Sequence, residues 1–291
     1  MQLNHYFCYG MAVHSRILLP LSPLDSTNTV ARVDVDYAAV ADCELPQITP
    51  WLHASSTEIR LQRAELGCMQ VQAQQIRLDA PQHPLTLLQQ LYLVGWGLAG
   101  AAMLQQRLAL HANALEKDGQ VILIAGDSGQ GKSTLSAQLL ANGYRIHSED
   151  VAVFADPAKV WRGMQYLLLQ PDAAEQWPFP VVAQGERNLR QVPQSRQSCY
   201  PVKALICVSF ADATAVNELK GMAKFALLRR QCYRPYLSQA LGIVSQQAQL
   251  LSQHFASIPV WHYQRPRHQA NAQALAAEVD ALRRQHGLTW L

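Results

Sequence analysis

Charge is scarce in this sequence. Asp, Glu, Lys and Arg make up 15% of the chain against 49% hydrophobic residues, so the surface must draw on glutamine, serine and asparagine. The formal net charge is only +3 and no Lys/Arg-rich run occurs, so no nucleic-acid partner is expected. The six cysteines (Cys8, Cys43, Cys68, Cys199, Cys207 and Cys232) include no Cys-x-x-Cys pair. They read as small buried hydrophobes of a reducing compartment, and a zinc site would have to gather them from remote segments. The first residues lack the basic stretch, apolar core and small-residue cleavage site of a signal peptide. No apolar run reaches the ~20 residues that span a bilayer. The nearest approach, Leu91 to Leu104, is flanked by Gln89, Gln90, Gln105 and Gln106 and is expected as a buried helix. These absences together predict a cytoplasmic protein with no membrane partner.

What is present suits one large or two modest domains in 291 residues. The first hundred residues alternate in strand fashion: Val33, Val35 and Tyr37 interleave with Arg32, Asp34 and Asp36, and Ile59/Leu61, Met69/Val71 and Ile76/Leu78 repeat the rhythm. From Pro84 to about Arg107 the pattern becomes a long apolar helix. The boundary is placed there, giving a β-rich unit over 1–105 and a second unit over 106–291. The second unit opens with a short strand, Leu108 to Ala114, a turn at Lys117-Asp118-Gly119, and the continuous apolar run Val121 to Ala125. That run suits a central strand buried on both faces. A helix from Thr134 to Ala141 stops at Asn142-Gly143, and strands follow at Tyr144–Ile146 and Val151–Phe154. Gln170 to Tyr200, rich in Pro, Gln, Ser and Arg, reads as a long surface loop. A buried strand at Ala204–Phe210, two helices within Gly221–His254, a strand at Val260–Tyr263 and a closing amphipathic helix at Ala270–Gln285 complete the expectation. There is no internal repeat.

One segment carries chemistry. Gly126-Asp127-Ser128-Gly129-Gln130-Gly131-Lys132-Ser133, followed by Thr134, fits Gly-x-x-x-x-Gly-Lys-Ser, the phosphate-loop pattern known as Walker A. Glycines let successive N–H groups face inward as a nest for phosphate oxygens. The nest opens on a helix N-terminus, where free amides and the helix dipole favour negative charge. Lys132 would reach the β- and γ-phosphates, and Ser133 would offer its hydroxyl to Mg²⁺. ATP with Mg²⁺ is the expected ligand. The carboxylate pair Glu149-Asp150, at the end of a neighbouring strand, would lie at the usual ligand crevice of such a sheet. Asp150 fits the group that accepts or steers a proton in phosphoryl transfer. A solvated turn explains such a pair equally when no phosphate loop is near, and His111, between Leu110 and Ala112, also suits a hydrogen-bonded core position.

The block Leu110 to Phe154 resembles the core of the HPr serine kinase/phosphorylase superfamily, more closely its HPr-kinase-like members such as lasso-peptide kinases. The match rests on His111 before the loop, the form Gly-Asp-Ser-Gly-x-Gly-Lys-Ser, and Glu149-Asp150 after the next strand. The resemblance implies an α/β fold with the loop in a mixed sheet of the phosphoenolpyruvate-carboxykinase kind, and transfer of the γ-phosphoryl group of ATP to a serine of a peptide or protein. Asp150 would be the base, Glu149 would hold Mg²⁺ or orient Asp150, and His111 would lie near the transferred phosphate. Assembly into homo-oligomers is also implied. Two departures stand out: Thr134 occupies a position where bacterial HPr kinase carries glutamate, and that enzyme's later glycine-rich signature has no counterpart. Neither the reverse reaction nor HPr as acceptor is therefore expected.

Two other functions use the same residues. The acceptor could be the hydroxyl of a small molecule, or the loop could drive an ATP-dependent switch with the β-rich unit as partner-binding module. A switch ATPase usually carries four apolar residues ending in Asp, and no such strand follows; Val151–Phe154 comes after Asp150. Arg229, Arg230, Arg265 and Arg267 are candidates to contact the γ-phosphate, and the sequence does not choose among them.

Overall fold

The structure is a computed structural model that describes residues 2–25, 28–41, 44–80, 84–155, 158–171 and 175–266. The closing helix expected at Ala270–Gln285, and Arg267, lie outside the described residues.

The first unit is an eight-stranded sheet. Its strands are β1 (Asn4–Cys8), β2 (Met11–Ser15), β3 (Ala31–Tyr37), β4 (Gln47–Thr49), β5 (Leu52–Ala54), β6 (Ile59–Arg63), β7 (Gly67–Val71) and β8 (Gln75–Asp79), in the order β1-β2-β3-β8-β7-β6-β5-β4. The period-two strands are there, with Val33, Val35, Ile59, Leu61, Met69, Val71, Ile76 and Leu78 all buried. Four further strands, β1, β2, β4 and β5, had no such signal.

The apolar run forms one continuous helical rod: α1 (Leu87–Tyr92), a π-helical stretch (Leu93–Leu98) and α2 (Ala99–Leu104). Thr86 starts it with a capping box, its hydroxyl accepting from the Gln89 amide at 3.3 Å while the Gln89 side chain accepts from the Thr86 amide at 2.8 Å. Length and composition would let this rod cross a bilayer, but most of it is buried in the protein. It presses on the sheet closely enough that a Cβ at Gly100 would come within 3.0 Å of Ile59 Cδ1. The same hydrophobic cluster takes in Val151, Val153, Met164, Leu168 and Tyr233 from later in the chain.

The second sheet is mixed. Its strands are β9 (Ala109–Leu110), β10 (Ala112–Lys117), β11 (Gln120–Ala125), β12 (Arg145–Ser148), β13 (Ala152–Ala155) and β14 (Lys159–Trp161), joined later in the chain by three more. A three-stranded sheet intervenes, built from β15 (Leu167–Leu169), β16 (Val181–Ala183) and β17 (Asn188–Arg190). Then come β18 (Cys199–Phe210), β19 (Ala215–Leu219) and β20 (Val260–Arg265), which complete the second sheet. β11 sits between antiparallel β10 and parallel β18, and β20 runs parallel to β18 on the other edge. Val121 to Ala125 are buried throughout, as a continuous apolar run requires. The β10–β11 hairpin turns on Asp118 (φ 52°) and Gly119 (φ 77°), the two left-handed residues that match strand twist.

Several expectations need correction. The segment Gln170–Tyr200 is not one loop, because it contains β16 and β17, and β17 pairs with both β16 and β15. Leu108–Ala114 is not one strand, because His111 interrupts it. Between Gly221 and His254 there are three helices in place of two: Gly221–Arg230, Pro235–Ala240 and Val244–His254. The chain breaks before Pro235, where Arg234 is left-handed (φ 49°), and again at Gly242 (φ 71°).

Candidate active site

The loop from Gly126 to Gly131 joins the C-terminal end of β11 to α3 (Lys132–Ala141). Gly126 has φ 149°, and a Cβ there would lie 2.6 Å from Val208 O on β18; only glycine lets the chain leave the sheet this closely. Gly131, at φ 85°, turns it into the helix. α3 has no side-chain cap and no acid in its first turn, so its leading amides stay free for an anion. Gln231 clamps the loop's entry: its side chain accepts from Gly126 N at 3.1 Å and donates to Asp127 Oδ1 at 3.3 Å. Arg230 also donates to Asp127, at 2.9 Å. Gln130 turns its side chain to the Phe210 amide at 2.7 Å. A recess of about 230 Å³ over the loop is lined by Asp127, Ser128, Gly129, Gly131, Lys132, Ser133 and Thr134, with His111, Asp150, Arg187 and Arg265 around it.

Three expected site residues converge there. Lys132 Nζ is 2.7 Å from His111 Nε2 and 3.6 Å from Asp150 Oδ1, and His111 Nδ1 is 3.1 Å from the Asp150 carbonyl oxygen. An ammonium only donates, so His111 accepts at Nε2 and carries its proton on Nδ1, which donates to that carbonyl. The imidazole is therefore neutral. Burial holds it below its ordinary value, the Asp150 charge offsets part of this, and Lys132 pushes it down again.

Asp150 sits in the left-handed region at φ 64°. It is fixed by a relay: Lys132 O accepts from Ser136 Oγ (3.0 Å), which accepts from Asn113 Nδ2 (3.0 Å), and Asn113 Oδ1 accepts from Asp150 N (2.9 Å). Burial alone would raise the Asp150 carboxyl, but the Lys132 charge, with those of Arg187 and Arg234, holds it below the usual carboxylate range, and His111 adds to this only when protonated. Glu149 behaves oppositely. At 2% exposure, burial pushes it up to about 8, with the Asp150 charge adding to the effect. Its Oε1 accepts from the Leu168 amide at 3.4 Å, and its Oε2 is buried without a hydrogen-bond partner among the described residues. Glu149 lines the neighbouring cavity and not the loop recess.

Of the four candidate arginines, the structure brings Arg265 to the recess. It is fully buried, and all three of its side-chain nitrogens lack a hydrogen-bond partner among the described residues. Arg230 pairs with Asp127, and Arg229 is exposed. Arg187, Arg234, Gln231 and Asn113 had no signal in the sequence. His147 is structural: it is buried between Ser195 Oγ (2.7 Å) and Val160 O (3.0 Å).

These groups fit a magnesium–triphosphate. The helix amides, Lys132 and the partnerless Arg265 suit phosphate oxygens, and Ser133 with a carboxylate suits the metal. No cluster of three or more His, Cys, Asp or Glu exists among the described residues, so phosphate and water oxygens would complete a Mg²⁺ shell, as this ion prefers.

No family model matches the chain, and no curated protein matches it. Among solved structures the chain is similar to the Hpr(Ser) kinase/phosphatase from Coxiella burnetii, at 16% identity over 62% of this chain and 97% of that one, with a TM-score of 0.32. A score of this size carries no argument, so the site's own geometry has to.

Proposed function

We propose that this protein is a kinase that transfers the γ-phosphoryl group of ATP to a serine hydroxyl of a peptide or protein. The observation that carries this is the meeting of Lys132, His111 and Asp150 at the mouth of a glycine loop. ATP with Mg²⁺ would supply the phosphoryl group and neutralise charge on its oxygens. Lys132 and Arg265 would steady the outer phosphates, and the amides of α3 the inner ones. Asp150, ionised at neutral pH, would take the proton of the acceptor hydroxyl as its oxygen bonds to phosphorus and the bond to the ADP oxygen breaks. His111, neutral, holds the Lys132 ammonium in position and bonds the Asp150 backbone. The β-rich unit over 1–105 would help receive the acceptor, and the active form would be a homo-oligomer in the cytoplasm. The test is to incubate the protein with γ-labelled ATP, Mg²⁺ and serine peptides. Label in an acid-stable serine phosphomonoester supports the reading; label found only in inorganic phosphate contradicts it.

A further inference from the structure

Beside the loop recess lies a larger cavity, of about 720 Å³. Asp150, Leu168 and Arg187 line both spaces, so the two meet at the carboxylate. Away from Asp150 the walls are mainly apolar, formed by Leu87, Leu91, Val94 and Trp96 of the helical rod and by Met164.

The cavity is built with care. Six non-glycine residues have left-handed backbones among the described residues, and three of them, Tyr9, Asp150 and Arg234, line this one space. Such conformations persist where the surroundings over-determine them, commonly at ligand sites. Its wall includes the π-helical stretch, an element also frequent at functional sites, and the Tyr233 hydroxyl donates to the Gly95 carbonyl there at 3.0 Å. The Arg234 guanidinium lies 3.3 Å above the Trp96 ring and 4.8 Å from that of Tyr233. Its Nη1 donates to the Tyr236 hydroxyl at 3.4 Å, while its Nε has no hydrogen-bond partner and no carboxylate pairs with it among the described residues, which leaves donor capacity for a carbonyl oxygen.

We infer that this cavity receives the acceptor, and that it selects a serine whose adjoining residue is large and apolar. The inference rests on the kinase reading. A serine side chain fills little of the space. With its hydroxyl at Asp150, the next residue falls against Leu88, Leu91, Val94 and Trp96, and Arg234 meets a peptide carbonyl. Burying a leucine or phenylalanine there raises kcat/KM by roughly ten- to hundredfold over glycine. A glutamate neighbour loses its hydration, and Glu65 and Glu186, which line the same cavity, offset what Arg187 and Arg234 would offer it.

The test uses two series of short capped peptides with one serine, varying the residue before it or after it among Gly, Glu, Leu, Phe and Trp. The full-length protein, ATP and Mg²⁺ are held constant, and ATP binding is followed by calorimetry on the same samples. In at least one series Leu, Phe or Trp should exceed Gly and Glu by about tenfold or more. Leu88→Asp should erase that preference while ATP still binds; Leu88 lines the cavity yet is 37% exposed, so the fold tolerates the change. Equal rates across both series, or a preference that survives Leu88→Asp, overturns the inference and leaves the kinase reading standing. Intact ATP binding with no peptide labelled overturns both.

Discussion

The Lys132 ammonium lies 2.7 Å from His111 Nε2, so a neutral imidazole shares the lysine with Asp150, 3.6 Å away. Without the imidazole, Lys132 would close on Asp150 alone and mask its carboxylate. His111→Leu should therefore slow phosphoryl transfer by about tenfold or more. His111→Gln, which keeps an acceptor for the ammonium, should retain most of the rate. Steady-state rates of the two variants decide this, and equal losses in both would argue against the shared-lysine arrangement.

Asp150→Asn keeps the shape of the site and removes the proton acceptor. Transfer should fall by about 10²–10⁴-fold, while ATP affinity stays within a few fold because the loop supplies most phosphate contacts. Single-turnover kinetics with labelled ATP measures the first and calorimetry the second. Transfer at full rate in Asp150→Asn would remove the carboxylate from the base role.

Arg265 buries a guanidinium that has the Phe210 ring 5.6 Å away but no hydrogen-bond partner among the described residues, a costly arrangement in the ligand-free protein. Arg265→Met should raise the melting temperature without ATP, by the equivalent of ~1–4 kcal/mol, and shrink the stabilisation that ATP confers. Thermal melts with and without MgATP give both numbers. A variant that melts lower in both states would assign Arg265 to folding alone.

Asn113 holds the backbone amide of Asp150 at 2.9 Å from a fully buried position. Asn113→Ala should cost ~1–3 kcal/mol of stability and lower kcat more than it raises KM, because the carboxylate loses its fixed direction. Chemical denaturation and initial rates together distinguish this from a purely structural loss.

His147 gives the fold a pH dependence. Burial holds its imidazole down to about 3, whereas an unfolded chain titrates near 6.5. Between those values the unfolded state binds the extra proton, so the stabilisation present above pH ~6.5 drains away as pH falls toward 3. The slope contributed is at most ~1.4 kcal/mol per pH unit. Urea unfolding across this window should show a steeper loss for the wild type than for His147→Gln.

The glycine loop between β11 and α3 was legible because strand, glycines and helix are contiguous in the chain, and each obeys a local rule. His111 and Asp150, which the structure brings to the loop recess, were picked out through resemblance to a family, whereas Glu149 lines the neighbouring cavity. The rest of the site is assembled over long sequence separations: Gln231 reaches Gly126 across 105 positions, and Arg187 and Arg234 stand on segments with no pattern of their own. The first half of β18 was hidden because Pro201 and Lys203 interrupt the apolar run, although both are exposed positions alternating with buried Tyr200, Val202 and Ala204. In β1, Tyr6, Phe7 and Cys8 are buried in succession, so no period of two appeared.

The most direct measurement is a calorimetric titration of MgATP into the wild-type protein and into Lys132→Ala. Saturable one-site heat in the wild type, weakened at least tenfold in the variant, is the expected result. No heat in the wild type, or superimposable curves for the two proteins, would contradict a phosphate-binding loop at residues 126–133 and everything derived from it.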